Sequence, residues 1–228
     1  GTNTPTNTYA WVQRVYRFGV GVAAGDLTEV GVGWAAGLFS RTLIKDSGGI
    51  PTSITVLADE YLDVTYEIRA YPTMTDQTFS GVDISGTPYT FTVRPGQFSG
   101  NESSSGTWPA DLSAMMNAGV TGVGGTSFGL SAYGSGAALA AVTGSISGTQ
   151  TVSSSSTTHA FRSSYVEDSF KREVRATFGL TAGTAPFGGF YLSSSMGTYQ
   201  MVVSPNIPKD GTKVLTLDID VSWARKAI

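Results

Sequence analysis

Cysteine is absent from the 228 residues, histidine occurs once, and only 14% of the residues are charged. The first absence excludes a disulfide framework and thiolate metal or redox chemistry. With a single histidine as well, the chain lacks the ligands of a zinc site. Fourteen Lys and Arg face seventeen Asp and Glu, a net charge of -3. No run of basic residues occurs, which argues against a nucleic-acid partner, since a phosphate backbone needs clustered cations. No stretch approaches the roughly 18 apolar residues of a membrane helix, so no membrane partner is assigned. The chain opens GTNTPTNT, without Met or a signal-like region. That start reads as a fragment edge or a processed end, and residues 1–8 as a flexible lead-in.

What is abundant is glycine, 29 residues of it, alongside serine and threonine. Long amphipathic helices would need more Glu, Lys and Leu, so the composition indicates an all-β protein with many turns. Ile50 to Arg69 and the closing stretch from Ile207 share one pattern. Leu62, Val64, Tyr66 and Ile68 alternate with Asp63, Thr65, Glu67 and Arg69; Leu217, Ile219, Val221 and Trp223 alternate with Asp218, Asp220, Ser222 and Ala224. Period two over this length marks a strand with one dry and one wet face.

A second pair of stretches repeats at nearly the same spacing. Arg14, Arg17, Gly21, Ala24 and Gly25 fall on Arg172, Arg175, Gly179, Ala182 and Gly183. The apolar face stays in phase, with Tyr16, Phe18, Val20 and Val22 over Val174, Ala176, Phe178 and Leu180. Together these matches predict an internal duplication giving two related antiparallel β-sandwich or barrel-like lobes. The first β unit is 9–72, the second 160–228, and 73–159 is a Gly/Ser/Ala-rich insertion between them.

Within that order, 9–22, 27–34, 37–44 and the repeat strand ending at Tyr71 are expected strands. Residues 79–84 and 89–93 follow, then 187–192 and 199–203 in the second unit. The one helix expected is 107–118, capped by Thr107 and ended near Gly119, with Trp108, Leu112 and Met115 or Met116 as a stripe packed on the sheet.

Candidate chemistry is sparse. His159 would have to serve any Ser-His-Asp triad; Glu167 and Asp168 lie near it in sequence, which is no charge relay. Asp59, Glu60 and Asp63, and Asp218 with Asp220, cluster carboxylates that would repel unless a cation or an arginine sat between them. They lack calcium-loop spacing and read as the wet side of a sheet, where charge also deters edge-to-edge aggregation. No spacing selects a glycosidase carboxylate pair. Gly122–Gly125 lacks the Lys-Ser/Thr of a phosphate loop. Trp34, Leu38 and Phe39 are read as core, with a partner surface as the alternative. No catalytic, cofactor-binding or metal-binding residue is assigned, and the protein is expected not to be an enzyme.

Residues 26–72 contain Thr28-Glu29-Val30-Gly31, then Leu38-Phe39-Ser40-Arg41, then Asp59-Glu60 ahead of an alternating strand. This succession resembles a segment of virion structural proteins of tailed bacteriophages, of the tail-fibre or minor structural type, and the closing IPKDGTKVLTLDIDVSWAR is similar to the same group's ending. The resemblance does not reach the Gly/Ser-rich middle. It implies a role in particle assembly or host contact, not catalysis, in a virion component without cofactor that works with other virion proteins; the duplication adds the expectation of a homo-oligomer, trimer or hexamer. A two-lobed chain in three copies would match a threefold fibre to a sixfold tail. The alternatives are a capsid decoration or head-fibre protein, and an adhesin in which Trp34 or Trp108 serves contact with host surface polysaccharide.

Overall fold

The structure, a computed structural model, describes residues 9–34, 37–98, 107–118, 128–164, 166 and 169–224, without the side chains of 34, 37–39 and 114–118. Strands make up 54% of it and the one α-helix among the described residues has 12, so the class is all-β. The chain divides into two compact units, Val12–Ile68 and Gly1–Trp11 with Arg69–Ile228.

The smaller unit holds three two-stranded sheets. Strand β1 (Ala10–Phe18) pairs with β6 (Leu62–Ala70), β2 (Gly25–Leu27) with β5 (Ile54–Val56), and β3 (Glu29–Trp34) with β4 (Gly37–Leu43). The expected strand 9–22 stops at Phe18 because a glycine-rich turn follows. Gly21 has φ +75°, and its N–H donates to Glu60 O at 3.0 Å. Val20 and Val22, expected on a dry face, therefore lie in that turn, 64% and 72% exposed. The expected long strand ending at Tyr71 is likewise two, β5 and β6, separated by a turn in which Glu60 N–H bonds Leu57 O at 3.1 Å.

Among the described residues, the larger unit is built from two antiparallel sheets. Strands β7 (Gln77–Val82), β8 (Pro88–Pro95), β9 (Gly129–Gly134), β10 (Gln150–Val152), β13 (Phe187–Ser194) and β14 (Gly197–Ile207) form a six-stranded sheet in the order β10-β9-β13-β14-β8-β7. Strands β11 (Thr158–Phe161), β12 (Lys171–Phe178) and β15 (Leu215–Ser222) form a three-stranded one in the order β11-β12-β15. One apolar cluster joins them: Leu130, Phe187, Phe190, Leu192 and Met201 from the first sheet, Val174, Ala176 and Phe178 from the second. The Phe178 ring lies 5.3 Å from Phe187 and 5.9 Å from Phe190. Each such ring, fully buried, contributes about 2–3 kcal/mol.

The range 73–159 is not set apart from 160–228. Its strands β8 and β9 hydrogen-bond to β14 and β13, so small residues of the middle third pack inside the sheet. Helix α1 (Thr107–Ala118) lies where its end signals and apolar stripe place it. Its Trp108 is buried between Phe98 and Tyr199, each 5.4 Å away, and its Nε1–H donates to Gly96 O at 3.0 Å.

The matched stretches do keep matching partners: β1 pairs with β6, and β12 with β15. Ala24 N–H bonds Gly21 O as Ala182 N–H bonds Gly179 O, and both Gly25 and Gly183 have positive φ. Two alike lobes do not surround them. The β1–β6 ribbon has two strands, whereas β12–β15 gains β11 and faces the larger sheet.

Candidate functional site

The clustered carboxylates are the first candidates, and the structure gives Glu60, Asp63, Asp218 and Asp220 each a partner. Arg17 clamps Asp63 with both arms, Nε to Oδ1 at 2.7 Å and Nη2 to Oδ2 at 2.6 Å. Its guanidinium also lies 4.3 Å over the Tyr61 ring. The arginine's hydrogen bond holds the Asp63 carboxyl below its usual range. Glu60 Oε2 accepts Leu57 N–H at 2.8 Å and so closes a turn.

On the far strand, Arg175 grips Asp218 by the same fork, at 2.7 and 2.8 Å, and Arg162 approaches to 3.3 Å. Lys171 Nζ sits 2.9 Å from Asp220 and 3.1 Å from Glu173. The Asp218 carboxyl is lowered chiefly by the Arg175 hydrogen bond. Arginine and lysine thus fill the role for which a cation was considered. Among the described residues, no group of three or more His, Asp or Glu side chains is placed to hold a metal ion. In sequence Arg17 falls on Arg175, and Leu62-Asp63-Val64-Thr65-Tyr66 matches Ile219-Asp220-Val221-Ser222-Trp223 in residue class, which would place Asp63 over Asp220; the clamp of Arg175 closes two residues earlier, on Asp218. Cross-strand position, not sequence correspondence, picks the partner: Arg175 lies directly opposite Asp218.

His159 is committed to the fold. Its Nε2 accepts Leu130 N–H at 3.1 Å, lies 2.9 Å from Thr157 Oγ1, and its ring meets Phe128 edge-on at 5.3 Å. Burial lowers its pKa and keeps it neutral, as an accepting nitrogen requires. Glu167, Asp168 and Gly122–Gly125 lie outside the described residues, as do the side chains of Trp34, Leu38 and Phe39. The sequence does contain one Gly-x-Ser-x-Gly spacing, Gly125-Thr126-Ser127-Phe128-Gly129. It leads into strand β9, whereas a nucleophile elbow runs from strand to helix.

Two buried polar sites were not read from the sequence. Gln200, fully buried in β14, ties down the segment 140–144: its Oε1 accepts Ala140 N–H at 2.8 Å, and its Nε2 donates to Pro95 O and Ala141 O, both at 3.0 Å. Lys209, 3% exposed, points its Nζ at the main-chain oxygens of Leu180, Gly183 and Asp210, at 3.3, 3.3 and 2.8 Å.

Asp111, on α1, is a third. Its Oδ2 is buried without a hydrogen-bond partner among the described residues, and burial pushes its pKa up to about 7. Its position three residues after Trp108, on the packed stripe, is the sequence signal that marks it. The folded state favours the protonated acid. Its contribution is therefore fully present below the ordinary value of 3.8 and is lost as the pH rises through about 7. His159 acts with the opposite sign, losing stability as the pH falls below 6.5, so a variant difference isolates Asp111. Asp111→Asn, uncharged at every pH, is expected to match the parent near pH 4. At pH 8 it should be more stable by about 2 kcal/mol, half the nominal value because solvent screens the group. Urea melts at both pH values check this; an equal effect at both would remove the titration account.

No family model, curated protein or solved structure matches the chain.

Proposed function

We propose that this chain is a non-enzymatic structural component of a tailed-bacteriophage virion, tail-associated as a fibre or fibre-attachment piece, and that it assembles as a symmetric oligomer. The observation that carries the reading is the smaller unit, whose residues 26–68 also carry most of the family resemblance. Of its described apolar residues only Val12 and Val56 are fully buried, while Val15, Leu43, Ile50 and Leu57 are exposed. Isolated two-stranded ribbons are marginal in water, and a unit of this size needs more interior than that. Neighbouring chains of a particle would supply it. The strand carboxylates also fit: Asp63, Asp218 and Asp220 are spent on arginine and lysine partners that stiffen sheets.

The test is location. Antibody against this chain, applied to intact tailed particles and imaged by negative stain, should decorate the tail. Decoration of the head would favour the capsid-decoration or head-fibre reading, and particles without label would remove the virion role.

A further inference from the structure

Every sheet formed by the described residues has outer strands, and an outer strand offers unpaired N–H and C=O groups to any passing chain. Nearly all of those described here are blunted. Strands β2, β5 and β10 have three residues each and β11 has four. The longer ones carry charge: Arg14 and Arg17 in β1, Asp63, Glu67 and Arg69 in β6, Glu29 in β3, Arg41 in β4, and Asp218 with Asp220 in β15. Strand β7 differs. Its six residues, QTFSGV, include no charge and no proline, and it meets β8 in unbroken register from Gln77↔Val93 to Val82↔Pro88. Phe79 and Val82 on it are 56% and 74% exposed, and Ile84 just beyond is fully exposed.

We propose that β7 is a docking edge, and that its occupant is β7 of a second copy of this chain, paired antiparallel about a twofold axis. The choice of occupant rests on complementarity. An uncharged open edge is matched by another uncharged open edge, and among the described outer strands of this chain β7 alone supplies one of that length. An antiparallel ladder is self-complementary, which a twofold contact requires. Pairing would bring each Phe79 against the partner sheet and cover Val82. The ladder is about 20 Å long. By itself it falls short of the roughly 800 Å² per partner of a stable interface, so it is a weak contact that a second interface must reinforce. The inference rests on the self-assembly reading above and narrows it: a hexamer with threefold and twofold axes contains this contact, and a trimer does not.

The experiment uses the full chain by sedimentation velocity across a hundredfold concentration range, with Phe79→Lys beside it. Because the chain has no cysteine, Thr78→Cys, Phe79→Cys and Ser80→Cys each add a single thiol. A thiol near the twofold axis meets its own copy and forms a disulfide-linked dimer on mild oxidation; Thr216→Cys on the charged β15 edge is the control. The expected result is an even-numbered assembly, at least tenfold weaker association for Phe79→Lys with unchanged circular dichroism, and a crosslink from one or more β7 thiols only. An assembly indifferent to Phe79→Lys and without β7 crosslinks overturns the pairing but leaves self-assembly standing. A parent chain monomeric throughout overturns both.

Discussion

Gly197→Ala is expected to destabilise the larger unit by about 3–5 kcal/mol and to lower its melting temperature by roughly 10 °C. Two causes add. Gly197 has φ +102°, outside the region that side-chain-bearing residues adopt, which costs about 1–2 kcal/mol. A Cβ there would also lie 2.4 Å from the Trp108 ring, and that ring cannot yield. It is 1% exposed, wedged between Phe98 and Tyr199, and hydrogen-bonded to Gly96 O. Gly86→Ala separates the causes. Gly86 has φ +82° but nothing within 4 Å of an added Cβ, so it should lose only the conformational part, about 1 kcal/mol. Equal losses at the two positions, measured by calorimetry, would show that the tryptophan contact contributes nothing.

Gln200→Leu keeps the volume of a fully buried side chain and removes its amide. Ala141 O still receives Gly144 N–H at 2.8 Å, Gly144 O still receives Gln97 N–H at 2.7 Å, and Ala140 O still receives Arg94 Nη1 at 3.0 Å. Ala140 N–H and Pro95 O lose the bonds that Gln200 gave them. One buried acceptor and one half-buried donor deprived in this way cost about 2–3 kcal/mol together. The loss should be local as well: hydrogen exchange at Ala140 should quicken at least tenfold, ahead of the sheet amides. Unchanged exchange there, with full stability, would mean that the amide's bonds are replaceable by water.

Both sites show where sequence reasoning ends. Alternation is legible because it needs only the neighbours in the chain: β6 and β15 follow the dry and wet phases read from Leu62–Arg69 and Leu217–Ala224. The helix at 107–118 is legible for the same reason, through Thr107, Pro109 and the Trp108–Leu112 stripe. Val20 and Val22 keep the apolar phase but lose the strand, because the bond from Gly21 to Glu60 turns the backbone first. Pairing over long separations carries no local mark. Nothing near Phe91 announces that Val203 will lie opposite it, and nothing near Gln200 announces Ala140. That is why residues 73–159, soft in composition, read as an insertion and fold as part of the principal sheet. The ion-pair partners of Asp63, Asp218 and Asp220 were open for a like reason: cross-strand register selects them.

The Lys209 ammonium has a further consequence. Main-chain oxygens converging on one positive charge are the ligand set by which loops hold an alkali or alkaline-earth ion from the medium. Here the charge is delivered on a covalent tether from the end of β14, so the turn at 179–183 carries its own counter-charge wherever the chain goes. A chain made this way keeps that corner in shape when dilution or a chelator strips ions from its surroundings.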